Sequence, residues 1–134
     1  MTITLNSQAE DPHLPLYGNK VLAVRVGQLE MHGKPRQTVW TTLQTTASIG
    51  ESTITLTDPV DWVVGEQIAI ASTDFSGRNS EKKTITAIAN QSVNPVITLD
   101  SPLEFKHYGG AYTAGGESIT MSAEVGLLSR NLKF

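Results

Sequence analysis

Cysteine is absent from the 134 residues, so neither disulfide bonds nor thiolate metal sites hold this chain together, and cysteine usage is silent on redox compartment. Basic charge is scarce. Only 10 Lys and Arg stand against 13 Asp and Glu, a formal charge of −3, and no basic stripe exists to neutralise phosphates, which excludes nucleic acid as a partner. No apolar run approaches membrane-spanning length, so this segment is not expected to insert into a bilayer. The opening reads as strand rather than as a signal peptide. No Gly-rich phosphate loop follows a strand, and there is no nucleophile elbow and no redox pair. The 3 histidines, His13, His32 and His107, lie far apart and never at ligand spacing, so they read as partly exposed side chains, and no metal site or cofactor is expected.

What is present is a series of short alternating segments. Hydrophobic residues make up 39% and charged ones 17%, the balance of an ordered, β-rich domain. The stretch the rest is organised around runs from Asp58 to Phe75. Pro59 and Gly65 bracket the apolar Val60 to Val64, which includes Trp62. Past Gly65, Ile68 and Ile70 fall on one face, with Gln67 and Ala69 on the other. Gly releases the backbone for a turn and β-branched residues fill the next strand, so this is predicted to be a β-corner pinned by Trp62.

Strands are also predicted at Thr2 to Leu5, at Lys20 to His32 with a corner at Gly27, at Gln37 to Leu43 and at Thr53 to Thr57. Further ones are predicted at Lys82 to Ala89, Val96 to Leu99, Leu103 to His107 and Glu117 to Ala123. Turns are expected at 48–51 and 90–95. Tyr108 to Gly116, with four of the 11 glycines, reads as a mobile surface loop, its glycine doublets as flexibility rather than as a cradle. Glu124 to Asn131 is ambiguous, a helical turn or irregular chain, with Gly126 favouring the latter. About ten short strands without a convincing helix give an all-β fold, a short-stranded β-sandwich or barrel-like connector.

Candidate chemistry is thin. Asp58 and Asp61 flank Val60 and read as turn caps, or as a carboxylate pair for acid–base work or calcium. Trp40 and Trp62 read as core aromatics, or as platforms for sugar rings. Glu124 and Arg130 bracket an apolar segment and read as a structural ion pair, or as a substrate contact. Lys82 and Lys83 read as solvated surface, and Asp74 as a loop-edge residue whose loss costs little. Asn90-Gln-Ser92 fits the N-glycosylation sequon in a loop. No catalytic residue stands out; Glu124, Arg130 and Trp62 are the substrate-contact candidates and Asn90 the glycosylation candidate.

Four stretches carry a resemblance: Gly18 to Val24 with Leu29 to Gly33, Trp40 to Leu43, Val60 to Thr73, and Ala123 to Asn131. In order and spacing they resemble the region that follows a G8 domain in the fibrocystin family of large receptor-like proteins, and Ile3 to Leu5 resembles the last strand of the G8 domain itself. The resemblance implies three parts: C-terminal strands of a G8-like β-unit over 1–33, a β-rich connector over 34–122, and from 123–134 the start of a right-handed parallel β-helix, its first rung near Ser129 to Phe134. It also implies a non-catalytic structural or interaction module of an extracellular, membrane-tethered glycoprotein. Its partners would be an extracellular glycan or protein ligand and the flanking domains of the same chain. The chain begins and ends within apparent strands, so it is expected to be a piece of something longer. Related cell-migration-inducing hyaluronan-binding proteins imply an alternative, a fragment of a hyaluronan-binding or hyaluronan-depolymerising protein whose catalytic groups lie mostly elsewhere. Those relatives insert a globular domain soon after the strand matching Trp40 to Leu43. Here Gln44 to Glu51 is a short linker, which argues against a hydrolase.

Overall fold

The computed structural model describes residues 3–6, 8, 10–13 and 15–131. The chain divides into two compact units, Met1–Pro35 with Arg130–Phe134, and Arg36–Ser129. Among the described residues all eight strands lie in the larger unit: β1 (Trp40–Thr42), β2 (Thr53–Thr55), β3 (Gln67–Ile70), β4 (Glu81–Ala89), β5 (Val96–Leu99), β6 (Ala111–Ala114), β7 (Glu117–Thr120) and β8 (Glu124–Leu127). Among the described residues the one helical element is a single 3₁₀ turn, Gly77–Asn79. The fold is all-β, as the sequence indicated.

Six strands form one antiparallel sheet in the order β1-β8-β3-β4-β5-β2. The sheet curls until its two edges meet. Leu43, just past β1, bridges Leu56, just past β2, while Gln44 N–H donates to Thr55 O and Thr57 N–H to Thr42 O, both at 2.9 Å. Closure at this point satisfies backbone groups that two free edges would leave open. Inside lie the residues that alternation places inward: Ile54 and Leu56, Ile68 and Ile70, Ile97 and Leu99, Val125 and Leu127. In β4 the inward residues Ile85 and Ile88 are three apart, and the register shifts between Ile85 and Ala87, a β-bulge that returns the later residue to the inner face.

The corner forms as predicted in its main feature. Trp62 is completely buried, the largest side chain of the core. Its Nε1 donates to Thr38 O at 2.8 Å, so the indole's polar atom is satisfied. Gly65 takes a φ of 89° and its N–H donates to Ile85 O at 2.8 Å. Residues 60–63 lie in no strand and have no ladder partners, so the corner is one strand, β3, preceded by a tied-down loop. Arg36 holds that loop, donating to Asp61 O at 2.8 Å and pairing with Glu66.

Several predicted elements differ. Among the described residues of 3–35 there is no strand. The bend expected at Gly27 is present, but Leu22, Val24 and Leu29 are about half exposed and Val26 almost wholly so. Alternation gives a segment an apolar face, but a strand also needs a hydrogen-bonding neighbour. Met1 and Thr2 of the first predicted strand, and 132–134 of the expected first rung, lie outside the described residues. Leu103 to His107 makes only a one-residue bridge, His107 with Ala47. Tyr108 to Gly116 is not a loop throughout: it opens a hairpin, β6–β7, in which Ala114 pairs with Glu117 across Gly115 and Gly116. Both glycines take positive φ, 61° and 87°, the two-residue turn that matches the twist of flanking strands. Of Glu124 to Asn131, ambiguous between a helical turn and irregular chain with the latter favoured, Glu124 to Leu127 is a strand lying between β1 and β3, with ladder partners on both sides.

Two substitutions test this packing. Trp62→Ala is expected to cost about 3–5 kcal/mol, read from denaturant unfolding, because the fully enclosed ring leaves a large cavity. Gly109→Ala is expected to cost about 2–3 kcal/mol, since a Cβ there would lie 2.5 Å from Thr45 O and 2.8 Å from Leu43 Cβ. Unchanged melting for both would show that neither contact holds the sheet.

Candidate functional site

The densest meeting of ionisable groups is one the sequence reading missed. Glu81 and Lys83 occupy alternate positions at the start of β4, on the same inner side as Ile85, and both are buried. His107 comes to them from the far end of the 101–107 segment and is fully buried. The Lys83 Nζ lies 2.9 Å from Glu81 Oε2 and the His107 Nε2 lies 3.0 Å from Glu81 Oε1. Glu81 also accepts the Glu104 N–H at 3.0 Å and the Phe105 N–H at 2.9 Å. Lys83 completes its shell by donating to Ser101 Oγ at 3.1 Å and Pro102 O at 2.8 Å.

Lys83 is therefore not solvated surface, and His107 is not partly exposed. The signal was in the sequence: the period of two that puts Ile85 inward also puts Lys83 and Glu81 inward. His107 Nδ1 lies 2.8 Å from Ala71 O and Nε2 faces the Glu81 carboxylate, so both bonds form together only when each ring nitrogen carries a hydrogen. Burial pushes the Glu81 carboxyl up, but the donors from Glu104, His107, Lys83 and Phe105 outweigh it and hold its pKa at about 2.

Chemically this cluster is closed. A general base needs a free lone pair facing a reactant, and here the carboxylate is surrounded by donors that belong to the fold. Among the described residues no buried side-chain nitrogen or oxygen lacks a partner, and no group of three or more His, Cys, Asp or Glu is arranged to hold a metal ion. The cluster's structural effect is to tie β4 to the 101–107 segment. That segment in turn holds the 44–51 linker, since Ala47 and His107 exchange both backbone hydrogen bonds at 2.9 Å.

The sequence-predicted candidates are dispersed. Trp62 is excluded as a sugar platform because no face of its ring reaches solvent. Trp40 is 59% exposed, so it is not a core residue. Asp58 and Asp61 act as turn anchors: Asp58 Oδ2 accepts from Thr41 Oγ1 at 2.8 Å, and Asp61 accepts the Gln37 N–H at 3.1 Å. Burial raises the Asp61 carboxyl, but the Gln37 and Thr38 amides and Arg36 bring it below the ordinary carboxylate range. Asp74 organises its loop rather than merely edging it. It accepts from Ser76 N–H, Asn79 Nδ2 and Ser72 Oγ, which lower its pKa, the Ser76 amide most.

Glu124 is exposed at the start of β8 opposite Thr42, whereas Arg130 belongs to the smaller unit. His13 and His32 are exposed, and His32 lies 3.9 Å from the Glu30 carboxylate. The open surface of the larger unit carries a cleft of about 240 Å³ lined by Thr73, Tyr108, Tyr112 and Met121. Lys106 Nζ stands 4.5 Å from the Tyr108 ring centroid. Every residue of β6 and β7 is exposed.

The fold and its closed cluster define an all-β segment with a buried, fully hydrogen-bonded polar cluster, and comparison with known proteins shows what the chain is similar to. Residues 1–44 match the G8 domain, a match that passes residue 33 and takes in β1 and the sheet-closing Leu43. Fibrocystin-L of Mus musculus and Fibrocystin-L of Homo sapiens are each 42% identical to the chain over 133 residues, 97% of this chain and 3% of theirs. A G8 domain-containing protein of Dictyostelium discoideum is 36% identical over 122 residues, 88% of this chain and 8% of that protein. The chain matches a G8 region of the fibrocystin family, and spans only a few per cent of the length of Fibrocystin-L.

The cluster generates a prediction with a definite sign. Glu81's folded pKa, about 2, lies below its ordinary 4.5, so its stabilisation is complete above pH 4.5 and is lost as pH falls toward 2. The wild-type chain is expected to lose on the order of 3 kcal/mol from this group across that window. Glu81→Gln should be less stable than wild type at pH 7, with the difference closing toward pH 2 in urea titrations. A gap that stays constant with pH would sink the assignment.

Proposed function

We propose that this chain is a non-catalytic structural and interaction module in the extracellular part of a larger, membrane-tethered, fibrocystin-like protein. The observation that carries this reading is the closed Glu81–Lys83–His107 cluster. The residues best suited to acid–base chemistry are buried and fully engaged with backbone of their own fold. Their role is mechanical, fixing the 101–107 segment against the sheet and so positioning the hairpin that follows it.

The similarity to Fibrocystin-L supports placement in a very long chain, and among the described residues no helix is long and apolar enough to cross a membrane. In this reading a parallel β-helix follows the module. The exposed β6–β7 ribbon, with Tyr112, Ile119 and Met121 at least half exposed, is the surface that meets neighbouring segments of the longer protein. A two-stranded ribbon open on both faces is marginal by itself, which suits an element that gains its cover from elsewhere. Glu124 and Arg130 serve structure here rather than substrate.

The discriminating experiment incubates the full ectodomain with high-molecular-weight hyaluronan and follows chain length. No shortening is expected. Shortening that disappears on Glu124→Gln or Arg130→Met would replace this reading with a hyaluronan-processing one. A second measurement addresses the ribbon: Tyr112→Ser with Ile119→Ser should leave the melting of the isolated chain nearly unchanged and lower that of the longer ectodomain. Equal effects in both would show that the ribbon is not an interface.

A further inference from the structure

Asn90 is the only one of the six asparagines with Ser or Thr two residues on, and the structure shows how the three residues of that motif divide their work. They form the tip of the β4–β5 hairpin. Asn90 takes a φ of 55° and its carbonyl accepts the Val93 N–H at 3.0 Å, closing a tight turn. The middle residue, Gln91, faces the protein. Its Nε2 donates to Trp62 O at 2.8 Å and its own carbonyl accepts the Val60 N–H at 3.1 Å. Pro95 is buried and its carbonyl accepts the Leu56 N–H at 2.8 Å. The turn is thus anchored through Gln91 and Pro95. Asn90 and Ser92 are exposed, and their side chains make no hydrogen bond to any described residue.

We propose that Asn90 carries an N-linked oligosaccharide, a reading that rests on the extracellular placement above. The reaction takes an oligosaccharide from a lipid-linked oligosaccharyl pyrophosphate. The bond between the anomeric carbon and the pyrophosphate oxygen breaks, a bond from the Asn90 Nδ2 to that carbon forms, and one amide proton leaves to a base as the lipid pyrophosphate departs. Transfer occurs on the unfolded chain, so the folded turn has only to tolerate the product. It does, because the Asn90 side chain is exposed and gives up no hydrogen bond to a described residue. The sugar would stand over the cleft of about 490 Å³ lined by residues 90–94 and beside Val93, which is 68% exposed. It would shield the loop whose underside ties the Trp62 corner.

The test uses the natural full-length protein on its own cells, labelled at the surface with a membrane-impermeant biotin reagent and then digested for glycopeptide mass spectrometry. The expected result is surface labelling together with an Asn90 peptide whose oligosaccharide is released by peptide N-glycosidase, leaving Asp at 90. Asn90→Gln and Ser92→Ala should each abolish that mass. Gln91→Ala should retain it while lowering the melting temperature, since the anchor is lost and the motif kept. Surface labelling with a bare Asn90 peptide overturns the inference and leaves the extracellular reading intact. A protein that is neither labelled nor glycosylated in its own cells, although the chain becomes glycosylated at Asn90 when sent through a secretory pathway behind a leader, overturns the extracellular reading and, with it, natural modification at Asn90.

Discussion

The structure of the larger unit depends on closing a short antiparallel sheet on itself. Strands of three or four residues bury little individually, and an open six-stranded sheet of such pieces would expose two unpaired edges. The meeting of Leu43 with Leu56 removes both difficulties at once. It joins the edge strands through the hydrogen bonds between Thr42, Gln44, Thr55 and Thr57, and it turns the inner faces of all six strands toward a shared interior. Trp62 fills much of that interior from a loop rather than from a strand. This explains why so much of the polar lacing, from Arg36, Thr38 and Gln91, converges on residues 59–66.

Burial of Glu81, Lys83 and His107 follows from the same geometry. A long strand, β4, crosses the sheet and starts where the 101–107 segment passes, so its first inward positions meet backbone rather than other strands. Backbone there offers Glu104 and Phe105 amides and the Pro102 carbonyl, which only charged or polar side chains can satisfy. An ionised carboxylate among donors, one of them a lysine, repays its desolvation in a way an isolated charge could not. The outcome looks like a catalytic constellation in residue type and is the opposite in availability, since each group is already committed to the fold.

Much of the local order was legible in the residues. The corner at Trp62, strands β3, β4 and β5, the turn at 48–51 and the loop carrying Asn90 all follow from alternation and from turn chemistry. The misreadings share a cause. Glu124 to Asn131 is ambiguous in sequence, with irregular chain favoured because Gly126 interrupts its pattern, yet Val125 and Leu127 still alternate inward and partners on both sides supply the ladder. Lys20 to His32 has the alternation of a strand, yet the structure gives it no ladder. The glycine doublet at 115–116 was read as flexibility and is a specific turn.

The sequence by itself determined which residues prefer an extended backbone, which face of each segment is apolar, and where the chain turns, because these depend on a residue and its near neighbours. Which strands pair, that β8 enters between β1 and β3 across more than fifty intervening residues, and that Lys83 is buried while Trp40 is not were decided only by the tertiary structure. Hydrogen-bond ladders and the desolvation of charge are properties of contacts between distant segments, and the preferences of a single segment leave them open.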